Sequence, residues 1–296
     1  MLPTGRETRA MSHLIDPRTL AGELESGREL HLLDVRWRLD VPEGRVAYVA
    51  GHLPGAVYVD LERELSRRGH PEEGPYPLPP IADLEASARR WGLSEGVPVV
   101  VYDDNHAVAA ARAWWLLRRR GVAVRVLDGG IRAWVAAGLP LEPGDHAPAR
   151  GDIRLTDADP GVASISEAAR APSEGFLVDV RAPTYYRGRT SRLDLSEGHI
   201  PGAINIPTIS HITSEGLLRR PEEILATFAR SGVIPGRPIT LYCGTGMAAA
   251  HSALALATAG IDTRIYAGSW GQWSLSPGRP VALGRTPDEV LQGWTS

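Results

Sequence analysis

Short apolar runs alternate along this chain with longer segments of helical period. In the second half, residues 176–180, 203–206, 238–242 and 263–266 are apolar with little polar alternation, the pattern of strands buried on both faces. Between them, residues 222–231 and 246–260 carry the spacing of helices. Alternation of this kind predicts an α/β fold: mainly parallel sheets flanked by helices, joined by right-handed crossovers. Ligands of such sheets bind at the carboxyl ends of the strands.

The pattern occurs twice. Leu33-Asp34-Val35-Arg36 returns as Val178-Asp179-Val180-Arg181, and Gly51-His52-Leu53-Pro54-Gly55-Ala56 as Gly198-His199-Ile200-Pro201-Gly202-Ala203. Pro98-Val99-Val100-Val101-Tyr102-Asp103 returns as Pro238-Ile239-Thr240-Leu241-Tyr242-Cys243, and the stretch from Leu127 to Trp134 as that from Tyr266 to Trp273. The offsets are 145, 147, 140 and 139 residues, with order kept, which means a duplicated domain. The expected division is a first copy over residues 13–141, a linker rich in Pro, Gly and Asp over 142–161, and a second copy over 162–296.

Composition narrows the chemistry. At 296 residues, 43% hydrophobic and 23% charged, the chain suits two globular domains with real cores. A net charge of -3 gives no electrostatic reason to expect a nucleic-acid partner. All 32 Lys+Arg residues are Arg, so Schiff-base chemistry lacks its lysine, and a bound anion must be held by Arg, hydroxyls or main-chain N–H groups. No segment approaches the apolar length of a membrane helix, and the first dozen residues do not read as a signal peptide; Met11 is a second candidate start. The single cysteine, Cys243, excludes an internal disulfide, a CxxC redox pair and a cysteine-built zinc site, and it fits a reducing, cytoplasmic setting.

Cys243 ends an apolar strand and is followed by Gly244-Thr245-Gly246 and the helix-forming Met247-Ala248-Ala249-Ala250. Two glycines let the loop curl so that successive N–H groups converge, and the helix adds its unpaired first-turn donors and positive dipole end. Such a cradle favours a thiolate, and favours still more a persulfide with its charge on the outer sulfur. A lone cysteine at a strand end is more often a small buried hydrophobe. The loop, and the replacement of Cys243 by Asp103 in the first copy, argue for a nucleophile here and a scaffold there.

Together these motifs identify the chain as resembling a tandem rhodanese, from about residue 31 to 273. The two DVR strands, the two GH(L/I)PGA motifs, the terminal GG…W and GS…W motifs and the loop from Cys243 all match that family. The resemblance implies two rhodanese-like domains, the nucleophile in the second, and a sulfurtransferase that carries sulfur as a Cys243 persulfide. Donors would be 3-mercaptopyruvate or thiosulfate, acceptors cyanide or thiols including thioredoxin, with no metal or organic cofactor.

Within the family, Cys-Gly-Thr-Gly is similar to the Cys-Gly-Ser-Gly loop of 3-mercaptopyruvate sulfurtransferases, whereas thiosulfate-preferring members tend to carry a cation just after the cysteine. By that resemblance Thr245 would share a proton relay with a His and an Asp of the first domain, here His52 and Asp40, while Gly244, Gly246, Met247 and Ala248 would form the donor cradle. Arg112 would face the cleft and fork onto a 2-oxo acid carboxylate. Tyr185 stands where the family's substrate arginine is expected, leaving Arg187 and Arg192 as substitutes. The lack of any cation in residues 244–250 argues strongly against a phosphatase of the same fold. The rival class is a non-catalytic persulfide carrier or partner-binding module.

Overall fold

The computed structural model describes residues 12–156, 161–189 and 197–287. The first copy runs β1 (Leu14–Ile15), α1 (Pro17–Glu25), β2 (His31–Asp34), α2 (Arg45–Ala50), β3 (Val57–Tyr58), α3 (Leu61–Glu64), α4 (Ile81–Arg90), β4 (Val99–Tyr102), α5 (Val108–Arg118), β5 (Val124–Leu127) and α6 (Gly130–Ala136). The second runs α7 (Ile165–Glu174), β6 (Phe176–Asp179), α8 (Pro183–Tyr186), β7 (Ile204–Asn205), α9 (Pro221–Arg230), β8 (Ile239–Tyr242), α10 (Met247–Thr258), β9 (Arg264–Ile265) and α11 (Ser269–Trp273). Both sheets are parallel throughout, in the orders β1-β5-β4-β2-β3 and β7-β6-β8-β9. The central strands β4 and β8 are buried along their whole length, which is why no polar alternation marks them in the sequence.

The recurring motifs do the same structural work in each copy. Asp34 takes both Nε and Nη2 of Arg36, whose Nη2 also donates to Gly51 O; Asp179, Arg181 and Gly198 repeat the arrangement. Tyr102 Oη accepts from Leu53 N and Tyr242 Oη from Ile200 N, both at 3.1 Å. Trp134 Nε1 donates to Pro140 O, and Trp273 Nε1 to Pro280 O. Each pair ties a strand end or terminal helix to the turn beyond it, so a buried polar group is satisfied at every corner.

The two copies share one core. Helices α5 and α10 pack against each other through Ala109, Ala110, Ala113, Ala249, Ala250 and Ala253, small residues that permit close approach of helices apolar all round. Hydrogen bonds from Arg119 Nη2 to Thr263 O and from Leu218 N to Asp128 Oδ1 also cross the boundary. The stretch after the first copy is no free tether. Glu142 pairs with His52, Gly151 N donates to Arg89 O, and Ile153 is buried against the first copy.

Two buried histidines lie beside this boundary. His251 in α10 is fully buried, with Nδ1 2.7 Å from Thr208 Oγ1, and its ring stacks toward that of His211 at 6.3 Å. Burial, with His106 of the first copy facing His251 and His251 facing His211, holds their pKa values down to about 4 and about 3. In the unfolded chain both take up protons near pH 6.5, so this neutral pair is fully compatible with folding above that pH and opposes it below. Lowering the pH from 7 to 5 is therefore expected to remove about 3–4 kcal/mol of stability through these two groups. Urea unfolding at the two pH values measures it; His251→Gln should show a distinctly smaller loss, and an unchanged pH dependence in that variant would contradict the assignment.

Candidate active site

At the carboxyl end of β8, residues 243–246 turn the chain directly into α10, and Gly246 caps the helix at φ 82°. Cys243 is 3% exposed, and its Sγ accepts a hydrogen bond from Gly246 N at 3.0 Å. The loop is clamped from below by α11. Cys243 N donates to Ser269 Oγ at 3.2 Å, Trp270 N donates to Cys243 O at 2.9 Å, and Gly271 N donates to Gly244 O at 2.9 Å. Ser269 holds φ 56°, a left-handed conformation unusual outside glycine, and its hydroxyl also donates to Tyr266 O. The recurring Gly-Ser-Trp motif located this segment in the sequence but did not disclose that Ser269 holds the nucleophile's main chain.

The first copy shows what such a loop holds. Residues 103–107 take the same course, one residue longer, and the Asp103 carboxylate fills the cradle itself. Oδ1 accepts from Asn105 N and Ala107 N, and Oδ2 from Ala109 N and Ala110 N, all between 2.9 and 3.0 Å. Asp103 is fully buried. The terminal helix docks beneath it as well, with Ile131 N on Asp103 O.

The residues expected to join Cys243 divide sharply. Gly244, Gly246, Met247 and Ala248 make up the loop and first helical turn. Thr245 sits half-buried in the loop, and its hydroxyl has no hydrogen-bond partner among the described residues. His52 does not join it. Its ring stacks on Tyr48 at 4.2 Å, its Nδ1 lies 3.1 Å from Tyr48 O, and the neighbouring Leu53 belongs to the outer cluster of the first sheet, away from the domain boundary. His199 makes the same contacts with Tyr186, so both histidines are corner posts. Asp40 is exposed in the turn closed by Arg38 and Val41, and nothing links it to His52 or Thr245.

Arg112 reaches the loop, though not from the cleft. It is fully buried, with Nε donating to Leu65 O and Nη2 to Tyr76 O, so it has no free fork for a substrate carboxylate. Arg187 is exposed at the carboxyl end of α8, and no contact joins its side chain to the loop. Arg192 lies outside the described residues.

First-domain residues that the sequence did not point to pack against α11, the helix that holds the loop, and around Arg112. Pro75 packs so closely on Gly271 that a side chain there would meet Pro75 Cδ at 2.4 Å. Tyr76 Oη donates to Glu62 Oε1 at 2.9 Å, and Trp37 Nε1 donates to the same oxygen. These residues lie in or fold against the proline-rich stretch around 70–80, which has no period to read.

The comparisons with known proteins agree with this architecture. The model of the rhodanese-like domain matches residues 16–137 and 164–276. Over 275 residues the chain is 43% identical to a putative thiosulfate sulfurtransferase, SseB, of Mycobacterium tuberculosis, covering 92% of this chain and 97% of that one. It is 39% identical to a probable 3-mercaptopyruvate sulfurtransferase of Pseudomonas aeruginosa, over 92% of this chain and 99% of that protein. The crystal structure of SseA from Escherichia coli, described as a 3-mercaptopyruvate sulfotransferase with the rhodanese fold, superposes with a TM-score of 0.80 at 30% identity, covering 88% of this chain and 99% of that one. The chain belongs to the rhodanese family, as a tandem copy. It is a sulfurtransferase of that family.

The filled cradle carries a stability prediction. Asp103→Ala leaves four buried N–H groups without an acceptor and should cost at least about 3 kcal/mol. Urea denaturation measures the loss; a variant as stable as the parent would mean that the carboxylate does not hold the loop.

Proposed function

We propose that Cys243 takes the thiol sulfur of 3-mercaptopyruvate, carries it as the sulfane sulfur of a persulfide and passes it to a thiophilic acceptor, a thiol such as thioredoxin or, in an assay, cyanide. One observation carries the reading. A persulfide's outer sulfur is the second atom beyond Cβ and bears a negative charge, and so is each carboxylate oxygen of Asp103, which its own loop holds with four N–H groups. The first copy thus contains a built-in analogue of the proposed intermediate.

The Cys243 thiolate attacks the donor's sulfur. A sulfur–sulfur bond forms as the donor's carbon–sulfur bond breaks, and the electron pair leaves on carbon as the enolate of pyruvate. That carbon takes up a proton equivalent to the donor thiol's own, with the Thr245 hydroxyl as the nearby group able to relay it. The outer sulfur, now anionic, is received by N–H groups of the loop and first turn of α10, where Gly246, Ala248 and Ala249 stand at the positions of Ala107, Ala109 and Ala110, and by the positive end of α10. The acceptor then attacks the outer sulfur, the sulfur–sulfur bond breaks, and Cys243 leaves as thiolate. Neither step calls for a metal or an organic cofactor.

The donor choice rests on charge. The loop offers no cation to a sulfonate, which favours a donor whose anionic group lies farther from the sulfur, and its carboxylate falls to arginines outside the loop, Arg192 being the candidate from sequence. Relatives in Pseudomonas aeruginosa and Homo sapiens bear the mercaptopyruvate name, whereas the Mycobacterium tuberculosis relative bears the thiosulfate name. In this reading residues 13–141 form the scaffold copy, 142–161 the connection and 162–296 the catalytic copy. An unpaired, sulfur-reactive cysteine suits a reducing compartment such as the cytoplasm.

The test is thiocyanate formation from each donor. The ratio kcat/KM should favour 3-mercaptopyruvate by about tenfold or more, equal to about 1.4 kcal/mol in transition-state energy. Cys243→Ser should abolish turnover while leaving the melting temperature nearly unchanged. A preference for thiosulfate would overturn the donor assignment, and no turnover with either donor would favour a partner-binding module.

A further inference from the structure

Helices α5 and α10 are related by the duplication, and Arg112 and His251 are the fifth residue of each. Both side chains cross the domain boundary toward the other copy's loop. His251 faces His106, in the loop that Asp103 fills. Arg112 faces the loop of Cys243: its Nη1 lies 3.4 Å from where a side chain on Gly246 would begin, and Gly246 N is the group that donates to Cys243 Sγ.

The electrostatic setting of Arg112 is unusual. It is 0% exposed, two of its nitrogens are spent on main-chain carbonyls, and Nη1 has no hydrogen-bond partner. No carboxylate pairs with it among the described residues. A guanidinium buried without a counter-ion is strongly disfavoured, so a negative charge near Nη1 would be correspondingly welcome. Burial pushes the Arg112 pKa down to about 10, and its electrostatic interaction with Cys243 opposes the push.

We propose that Arg112, supplied by the copy without a nucleophile, is the fixed counter-charge of the catalytic loop, stabilising the Cys243 thiolate and the anionic outer sulfur of its persulfide from behind Gly246. It is a positioning residue, since Gly246 separates it from the reacting sulfur. The asymmetry of the pair then has a reason. The loop with a permanent carboxylate, already satisfied by four N–H groups, faces a neutral histidine. The loop whose anion appears and disappears during turnover, and which has no cation of its own, faces a permanent one.

The proposal rests on Cys243 acting as a thiolate, but its test does not require sulfur transfer. Because Cys243 is the only cysteine, thiolate absorbance in the ultraviolet and alkylation by iodoacetamide both report on it alone. Arg181, beside Gly244, is a further cation near the loop and is held by Asp179; it is left untouched. Arg112→Gln keeps an N–H donor at the position of Nε, which serves Leu65 O, while removing the charge. At neutral pH it should lower the thiolate signal and slow alkylation about tenfold or more. Arg112→Lys keeps the charge and should restore most of both.

Equal effects of the two substitutions, or an Arg112→Gln chain that folds and alkylates like the parent, would overturn the proposal and leave Arg112 a packing residue. Should Arg112→Gln not fold, Arg112→Lys decides alone: a folded variant that retains the charge yet loses the thiolate signal contradicts the counter-charge role, and retention supports it. If sulfur transfer is absent in the parent while these signals behave as described, the function reading fails and the counter-charge stands.

Discussion

A curl of main-chain N–H groups at the end of a fully buried strand needs an anion, and the architecture around it follows from that need. Buried donors are costly when unpaired, and a helix beginning at the same point adds its own positive end. In one copy a carboxylate meets the need permanently. In the other, a sulfur atom sits at the edge of the cradle with one N–H group on it. That loop is built for a charge one atom beyond the sulfur.

Duplication supplies what a single domain lacks. The catalytic loop contains no cation. The first copy contributes Pro75, packed on the α11 residue that holds Gly244 O, and Arg112 behind Gly246, itself tied to Tyr76 O. Loss of the nucleophile in the first copy therefore leaves it necessary: its sheet and α5 fix those three residues, and the filled Asp103 loop keeps the start of α5 in place.

Much of the fold was legible in the sequence, for identifiable reasons. Strands β6 and β8 and helices α9 and α10 fall within two residues of the segments that predicted them, because strands covered on both faces are mostly apolar and lack polar alternation. The duplication was legible because the DVR pair, the His-Pro-Gly corner and the terminal tryptophan each satisfy the same buried polar group in both copies. That reasoning also bears on His52. A histidine repeated at the same corner in both copies is better read as a post than as a relay, and its sealed contact with Tyr48 agrees. Arg112 was expected to fork onto a carboxylate from the cleft, whereas it is buried with Nε and Nη2 on main-chain carbonyls, because its direction depends on how two domains dock. Pro75 and Tyr76 were missed for a related reason: an aperiodic, proline-rich stretch offers nothing to read until the two copies pack together.

The most direct test of the account is the mass of the chain after brief exposure to 3-mercaptopyruvate and removal of excess donor. The account predicts a gain of one sulfur atom per chain, located on the peptide that contains Cys243 and removed completely by cyanide. An unchanged mass with an intact, folded chain, or sulfur found on any other residue, would contradict it.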